Sequence, residues 1–358
     1  MKRLRYILLL LLVAILTGCD ATIHEYPDTE LRPDIVTVTL NLEFDTEMPL
    51  YKQQQHTRTN NLKSSDFDIR YIVNVYPASA YRQVNGDVVA SYTFTKAEVD
   101  SWDNTVQFEL ERNFYDFVVW ADYVDADSEA DKYYNTSDFN LISLNGALSG
   151  SNDFRDAFIG YGKYDLTAEP APYTYTIPME RPMAKYRFIS TDVDTFISRM
   201  MEIKKKRLEA SRGEDEETKA DTEDTKVDTK VEVDINDYYV VFRYAQYYNT
   251  AYNALLNMPA APDMGYSFTS TIQQLSDTEA EIGFDYVFVG EDTKVWVALE
   301  IYERSKEGDD VKIGGVDKFL VELSRSKLTE VRGKFLTSQE DGGVGINPDF
   351  DGEITIPI

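Results

Sequence analysis

Cys19 is the only cysteine in a chain of 358 residues, and it closes the run Leu16-Thr17-Gly18-Cys19. An aliphatic residue, a small residue and a glycine ahead of a cysteine make up the bacterial lipobox. Its thiol accepts a diacylglyceryl group, and a signal peptidase then cuts before it. The residues upstream suit that chemistry. Lys2, Arg3 and Arg5 give a positive start, and Ile7 to Leu16 is wholly apolar. Residues 1–18 therefore read as a secretory signal peptide, removed from the mature protein. The apolar run is half the roughly 20 residues that a helix needs to cross a hydrocarbon core. The expectation is a protein anchored by lipid on Cys19, not one that spans the bilayer. Each buried acyl CH₂ contributes about 0.8 kcal/mol, so two or more chains hold firmly. An ordinary signal peptide with a coincidental cysteine is the duller alternative.

Once Cys19 is acylated no thiol remains, which excludes disulfides, thiolate metal sites and cysteine nucleophiles. The two histidines, His24 and His56, lie near the anchor and in a Gln-rich stretch. A Ser-His-Asp relay or a His-rich zinc site would have to use one of them. Carboxylate-only chemistry is open in principle, but 63 acidic residues single out no pair. No catalytic residue, metal or cofactor is assigned, and the chain is not expected to be an enzyme.

Three further patterns have ordinary readings. Asn347-Pro348-Asp349-Phe350-Asp351-Gly352 resembles the start of a calcium loop, yet its twelfth position is Ile358, not an acid. A turn into the last strand explains it better. Asp125, Asp127, Glu129 and Asp131 alternate without a glycine where such a loop must bend, and read as a solvated loop. Gly342-Gly343-Val344-Gly345 lacks the strand-to-helix setting of a phosphate cradle.

Removing residues 1–18, which hold three cations and no carboxylate, takes the formal charge from −27 to −30. So acidic a chain repels phosphate backbones, and nucleic acid is not an expected partner. Aromatic residues are abundant, with 25 Tyr and 18 Phe. Rings can stack on sugar faces, and they also suit the pleated surface of a sheet.

The elements behind these residues are mostly strands. Val36, Val38, Leu40, Leu42 and Phe44 alternate with Thr37, Thr39, Asn41 and Glu43, as in a strand with one wet face. The same period returns in 72–76, 92–94, 106–110, 117–120, 173–177, 238–244, 282–289, 295–301, 319–323 and 354–358. Turn signals such as Asn85-Gly86, Asn145-Gly146 and Gly314-Gly315 separate several of them. Many short strands with few helical periods argue for β-sandwiches. Two stretches have helical spacing: Thr195 to Leu208, and a short one near Ala251 to Leu256. Residues 204–234, rich in Glu, Asp, Lys and Thr, are expected to form a disordered acidic insertion.

Several segments together resemble the Bacteroidales fimbrillin-like (Mfa-type) lipoprotein family. They are Cys19 to Tyr26, Asn74-Val75-Tyr76-Pro77, Arg181-Pro182-Met183-Ala184-Lys185, Gly283 to Val289, and Gly342 to Gly352. The resemblance implies an all-β fold of two tandem transthyretin-like β-sandwich domains with minor helices. Residues 1–18 would be the signal peptide and 19–33 a lipidated tether. Residues 34–179 would form the N-terminal sandwich, and 180–358 the C-terminal sandwich carrying the insertion at about 204–234. It also implies an outer-membrane, surface-displayed protein, lipid-anchored, whose partners are other fimbrial subunits met through exchanged or shared strands. Shaft subunits in the family lose their first strand to a protease that cuts after Arg, and Arg58 is the candidate position here. An anchor would keep both lipid and first strand. The alternative function is a surface glycan-binding lipoprotein of a polysaccharide-uptake system.

Overall fold

The computed structural model describes residues 35–44, 66–78, 86–96, 104–167, 170–215, 231–338 and 353–355. The strands in its first half are β1 (Ile35–Phe44), β2 (Phe67–Pro77), β3 (Ala90–Lys96), β4 (Thr105–Glu111) and β5 (Phe114–Asp125). Two short ones, β6 (Tyr134–Asn135) and β7 (Ile142–Leu144), precede β8 (Ala157–Asp165) and β9 (Tyr173–Glu180). The second half opens with β10 (Met183–Ser190) and the helix α1 (Val193–Asp215). There follow β11 (Tyr238–Tyr244), β12 (Tyr248–Asn253), β13 (Met258–Asp263), β14 (Ser267–Thr271) and β15 (Gln273–Gln274). The rest are β16 (Ala280–Phe288), β17 (Thr293–Glu303), β18 (Val311–Leu323), β19 (Leu328–Gly333) and β20 (Glu353–Thr355). The fold is all-β, as the alternating pattern implies.

A seven-stranded sheet of order β3-β2-β5-β8-β9-β1-β4 forms the first body. It folds over between β8 and β9, which share only the Ile159–Glu180 and Gly160–Met179 pairs. Gly160 permits that close approach, since a Cβ there would meet Met179 Sδ at 2.4 Å. At the open side Tyr92 of β3 stacks on Phe108 of β4, ring centres 4.5 Å apart, so the two ends of the sheet face each other. The interior between the layers takes Val36, Val38, Leu40 and Leu42 from β1, each at most 2% exposed. Tyr71, Val73, Phe117 and Ile177 pack against them.

Two sheets, β15-β16-β10-β19-β20 and β14-β11-β17-β18, enclose a second core that includes Tyr186, Phe188, Phe242, Leu299 and Val331. The two halves share a topological signature: β1 runs parallel to β9, and β10 parallel to β19. A fourth sheet, β13-β12-β7-β6, joins strands from both halves through Ala251–Ser143 and Tyr252–Ile142.

Two local expectations change. Ala251 to Leu256 is not helical: it is the end of β12 and the following turn. Its Ala- and Leu-rich composition favours a helix only weakly, and pairing with the distant β7 overrides that preference. Asn253 Oδ1 accepts from Leu256 N at 2.8 Å and shapes the turn. Likewise, residues 204–215 are not part of a disordered run but the second half of α1. Lys and Arg are good helix formers. Here Lys206 pairs with Glu202 one turn back, while Arg207 reaches Glu303 of β17 at 2.8 Å. The first half of α1 meets the sheet through buried Phe196 and Met200, as its spacing implies. Residues 216–230 lie outside the described residues.

Candidate functional site

Charged residues converge where the two halves meet. Between β7 and β8 the chain makes a short 3-10 turn, Asp153–Arg155, capped by Asn152, whose Oδ1 accepts from Phe154 N at 3.0 Å. Alternate side chains on this turn point to opposite bodies. Phe154 enters the first core and stacks on Phe67 with ring centres 3.7 Å apart. Asp153 and Arg155 face the second half.

The approach of this segment depends on small residues. A Cβ at Gly150 would lie 2.2 Å from the Phe268 ring, so only glycine fits against it. Ser151 N donates to Phe284 O at 2.7 Å, and its hydroxyl lies 2.7 Å from that of Ser270.

Three ion pairs then cross or line the junction. Arg181 Nε donates to Asp156 Oδ1 at 2.8 Å, and its Nη2 donates to Oδ2 at 2.9 Å, a bidentate clamp. Lys185 Nζ donates to Asp153 Oδ1 at 2.6 Å. Arg155 Nη1 pairs with Asp285 Oδ1, whose second oxygen accepts from Tyr244 OH at 2.5 Å. Tyr186 and Tyr244 hydroxyls lie 2.9 Å apart behind it. All six charged residues are at most 2% exposed.

Burial is the largest influence on Asp156, Asp285, Arg181 and Arg155. It pushes the Asp156 and Asp285 carboxyls up, and Arg181 and Arg155 offset that only in part. Burial opposes the charge on Arg181 too, yet Asp156 more than compensates and holds it ionised. Removing either member of such a pair would strand the other in an apolar interior. The arrangement brings three acid–base pairs into direct contact in an interior that water hardly reaches.

The residues singled out from sequence are distributed as follows. Cys19, Arg58, His24, His56 and the segments 342–345 and 347–352 lie outside the described residues. The Asp125 to Asp131 stretch is a loop tied to the sheet rather than freely solvated. Arg70 on β2 reaches Asp131 Oδ1 and Glu129 O, both at 2.8 Å, and also pairs with buried Asp122. Among the described residues no group of three or more His, Cys, Asp or Glu could hold a metal ion, and no helix is long and apolar enough to cross a membrane.

Two of the segments carrying the family resemblance, 181–185 and 283–289, supply Arg181, Lys185 and Asp285 to the junction. Their partners Asp153, Arg155 and Asp156 were not anticipated. The signal was present in Arg181 and Lys185, two cations flanking an apolar stretch that a strand must bury, which demands carboxylates from elsewhere.

Several solved structures are similar to this chain. One is a candidate polysaccharide-binding protein from Bacteroides thetaiotaomicron, 14% identical, covering 83% of this chain and 91% of its own, with a TM-score of 0.44. Another is a candidate adhesin from Bacteroides ovatus, 11% identical over 92% and 95%, with a TM-score of 0.40. A third is the fimbrial anchor protein Mfa2 from Porphyromonas gingivalis, 9% identical over 83% and 89%, with a TM-score of 0.39. Likeness at these identities and scores leaves the role of this chain open. No curated protein matches it in sequence. Residues 33–358 match the model of a family of unknown function, DUF6562, and the chain belongs to that family.

Proposed function

We propose that this protein is a cell-surface lipoprotein, held in the outer membrane by acyl chains on Cys19, that serves as a fimbrial or fimbrillin-like anchor. It meets other subunits through strand-mediated contacts and performs no catalysis. The observation that carries this reading is the position of β1. It is the first strand among the described residues, and it lies in the middle of its layer, antiparallel to β4 and parallel to β9. With Val38, Leu40 and Leu42 fully buried, a lipid-tethered N-terminus leads straight into the core of the first sandwich. A chain that keeps β1 offers a closed body suited to anchoring. Cleavage after Arg58 would release β1 together with the tether and leave a groove between β4 and β9 for a partner's strand, which is the shaft reading.

Labelled palmitate should enter the wild-type protein and not the Cys19→Ala variant, which should fractionate away from membranes. N-terminal sequencing separates the two roles: an acylated Cys19 supports the anchor, and a free start at Thr59 the shaft. Absence of SDS-resistant oligomers or sheared filaments under expressing conditions would count against assembly altogether.

The glycan-binding alternative has a place in the fold, a groove lined by Asp116, Tyr161, Lys163, Leu255 and Asn257. Many of the aromatic residues are taken up by the cores. Tyr71, Tyr123, Tyr134, Tyr186, Tyr238, Tyr248, Tyr252 and Tyr286 are all buried. Affinity electrophoresis that slows the protein, with the effect lost in Tyr161→Ala, would favour it.

A further inference from the structure

Lys185 and Asp153 form a fully enclosed ion pair. Their side chains are 3% and 0% exposed, with Nζ 2.6 Å from Oδ1. The amine sits 4.1 Å from the centre of the Phe284 ring and 5.1 Å from that of Tyr286, so aromatic faces surround it. Tyr286 OH donates to the same Asp153 oxygen at 3.1 Å. The other oxygen, Oδ2, is buried without a hydrogen-bond partner.

A second buried carboxylate accompanies the pair. Glu281 of β16, 6% exposed, lies on the strand that pairs with β10. Arg187 Nη1 lies 3.8 Å from its Oε2, beyond hydrogen-bonding distance. Burial raises the Glu281 pKa, and the charges of Lys185 and then Arg187 lower it.

We infer that Lys185 and Asp153 condense into an intramolecular isopeptide bond once the chain has folded, with Glu281 relaying the protons. The held contact between Nζ and the carboxyl replaces a bimolecular encounter. Lys185 Nζ releases a proton and forms a bond to Asp153 Cγ. The Cγ–Oδ2 bond breaks, and Oδ2 leaves as water with two of the three ammonium protons, the third remaining on the amide nitrogen. Glu281 accepts and returns a proton, ending as it began. No oxidant or co-reactant is needed. The bond would staple β10 to the 3-10 turn across 32 residues of chain. It would give the junction the covalent restraint that a chain with one cysteine, committed to lipid, cannot obtain from a disulfide.

Full-length protein extracted from membranes, digested with trypsin and read by tandem mass spectrometry tests this directly. An acylated Lys185 resists trypsin, so fragments 133–155 and 164–187 should appear joined, at the sum of their masses less one water. Separate fragments, with cleavage after Lys185, would overturn the proposal without any variant. Lys185→Arg keeps a cation beside Asp153 and should abolish the joined species. Glu281→Gln should slow its formation by about 100-fold, within the range for losing an acid–base group. Unchanged linkage in that variant would remove Glu281 from the step.

Discussion

At the junction of the two halves, Arg181 meets Asp156 with side chains 0% and 2% exposed. On the outer face of β11, β17 and β18, Arg243 meets Glu300 at 2.6 Å with side chains 50% and 18% exposed, and Lys312 joins them. Each is a guanidinium–carboxylate pair, yet the carboxyls shift in opposite directions. Burial dominates at the junction and raises Asp156. Around Glu300 burial is the largest single cause as well, but it is weaker than the combined hydrogen bonds and charges of Arg243 and Lys312, and the carboxyl falls below its ordinary value. Water thus decides what an ion pair is worth. At the junction the pairs hold two bodies in register because neither partner can be lost alone. On the outer face they lie open to water, where such pairs contribute little.

The sharpest test of that contrast is Asp156→Ala. It removes the carboxylate that clamps the buried Arg181 guanidinium, and should cost about 3–5 kcal/mol in urea unfolding. A loss below about 1 kcal/mol would mean that water reaches the junction and the contrast fails. An apolar deletion sets the scale beside it. Leu40→Ala empties a fully buried site on β1 and should cost about 2–5 kcal/mol. It should also loosen the strand on which the anchoring role rests, visible as faster amide exchange across β1, β4 and β9.

Acidity divides the two kinds of site by sign. Glu281 has a raised pKa in the folded state, so its contribution favours folding below the ordinary glutamate range and is lost as pH rises through the raised value. Glu300 and Glu330 have lowered values, so theirs is present above that range and is lost as pH falls through the lowered values. Carboxyl NMR titration should place Glu281 above, and Glu300 and Glu330 below, the usual glutamate midpoint. The reverse order would undo the comparison. The smallest effect belongs to Glu300→Gln, expected at about 0–1 kcal/mol and shrinking further in high salt. A cost near that of Asp156→Ala would show the outer face to be structural after all.

Much of the fold was legible in the residues. The alternation of Val36 to Phe44 specified a strand with one buried face, because a period of two leaves no other regular element. The spacing of Phe196 and Met200 specified a helix packed on a sheet. Where reading failed, the deciding contact was distant in sequence. Residues 251–256 include Ala and Leu at helical spacing, yet β7, more than a hundred positions away, holds them in a strand and turn. Residues 204–215 have the composition of a solvated run, but Glu303 and Asp237 give α1 partners for Arg207 and Lys204.

The candidate site divides along the same line. The lipobox pattern that ends at Cys19 is a local signal, an expectation drawn from four neighbouring residues. The junction is the opposite case. Nothing near Arg181 or Lys185 in sequence announces Asp156 or Asp153, which lie 25 and 32 residues earlier. Sequence alone settled strand periodicity, the predominance of sheet and the unique cysteine, because each depends on neighbours along the chain. Tertiary structure alone decided which charges meet and how dry they are, because desolvation belongs to the packed interior and no stretch of residues carries it by itself.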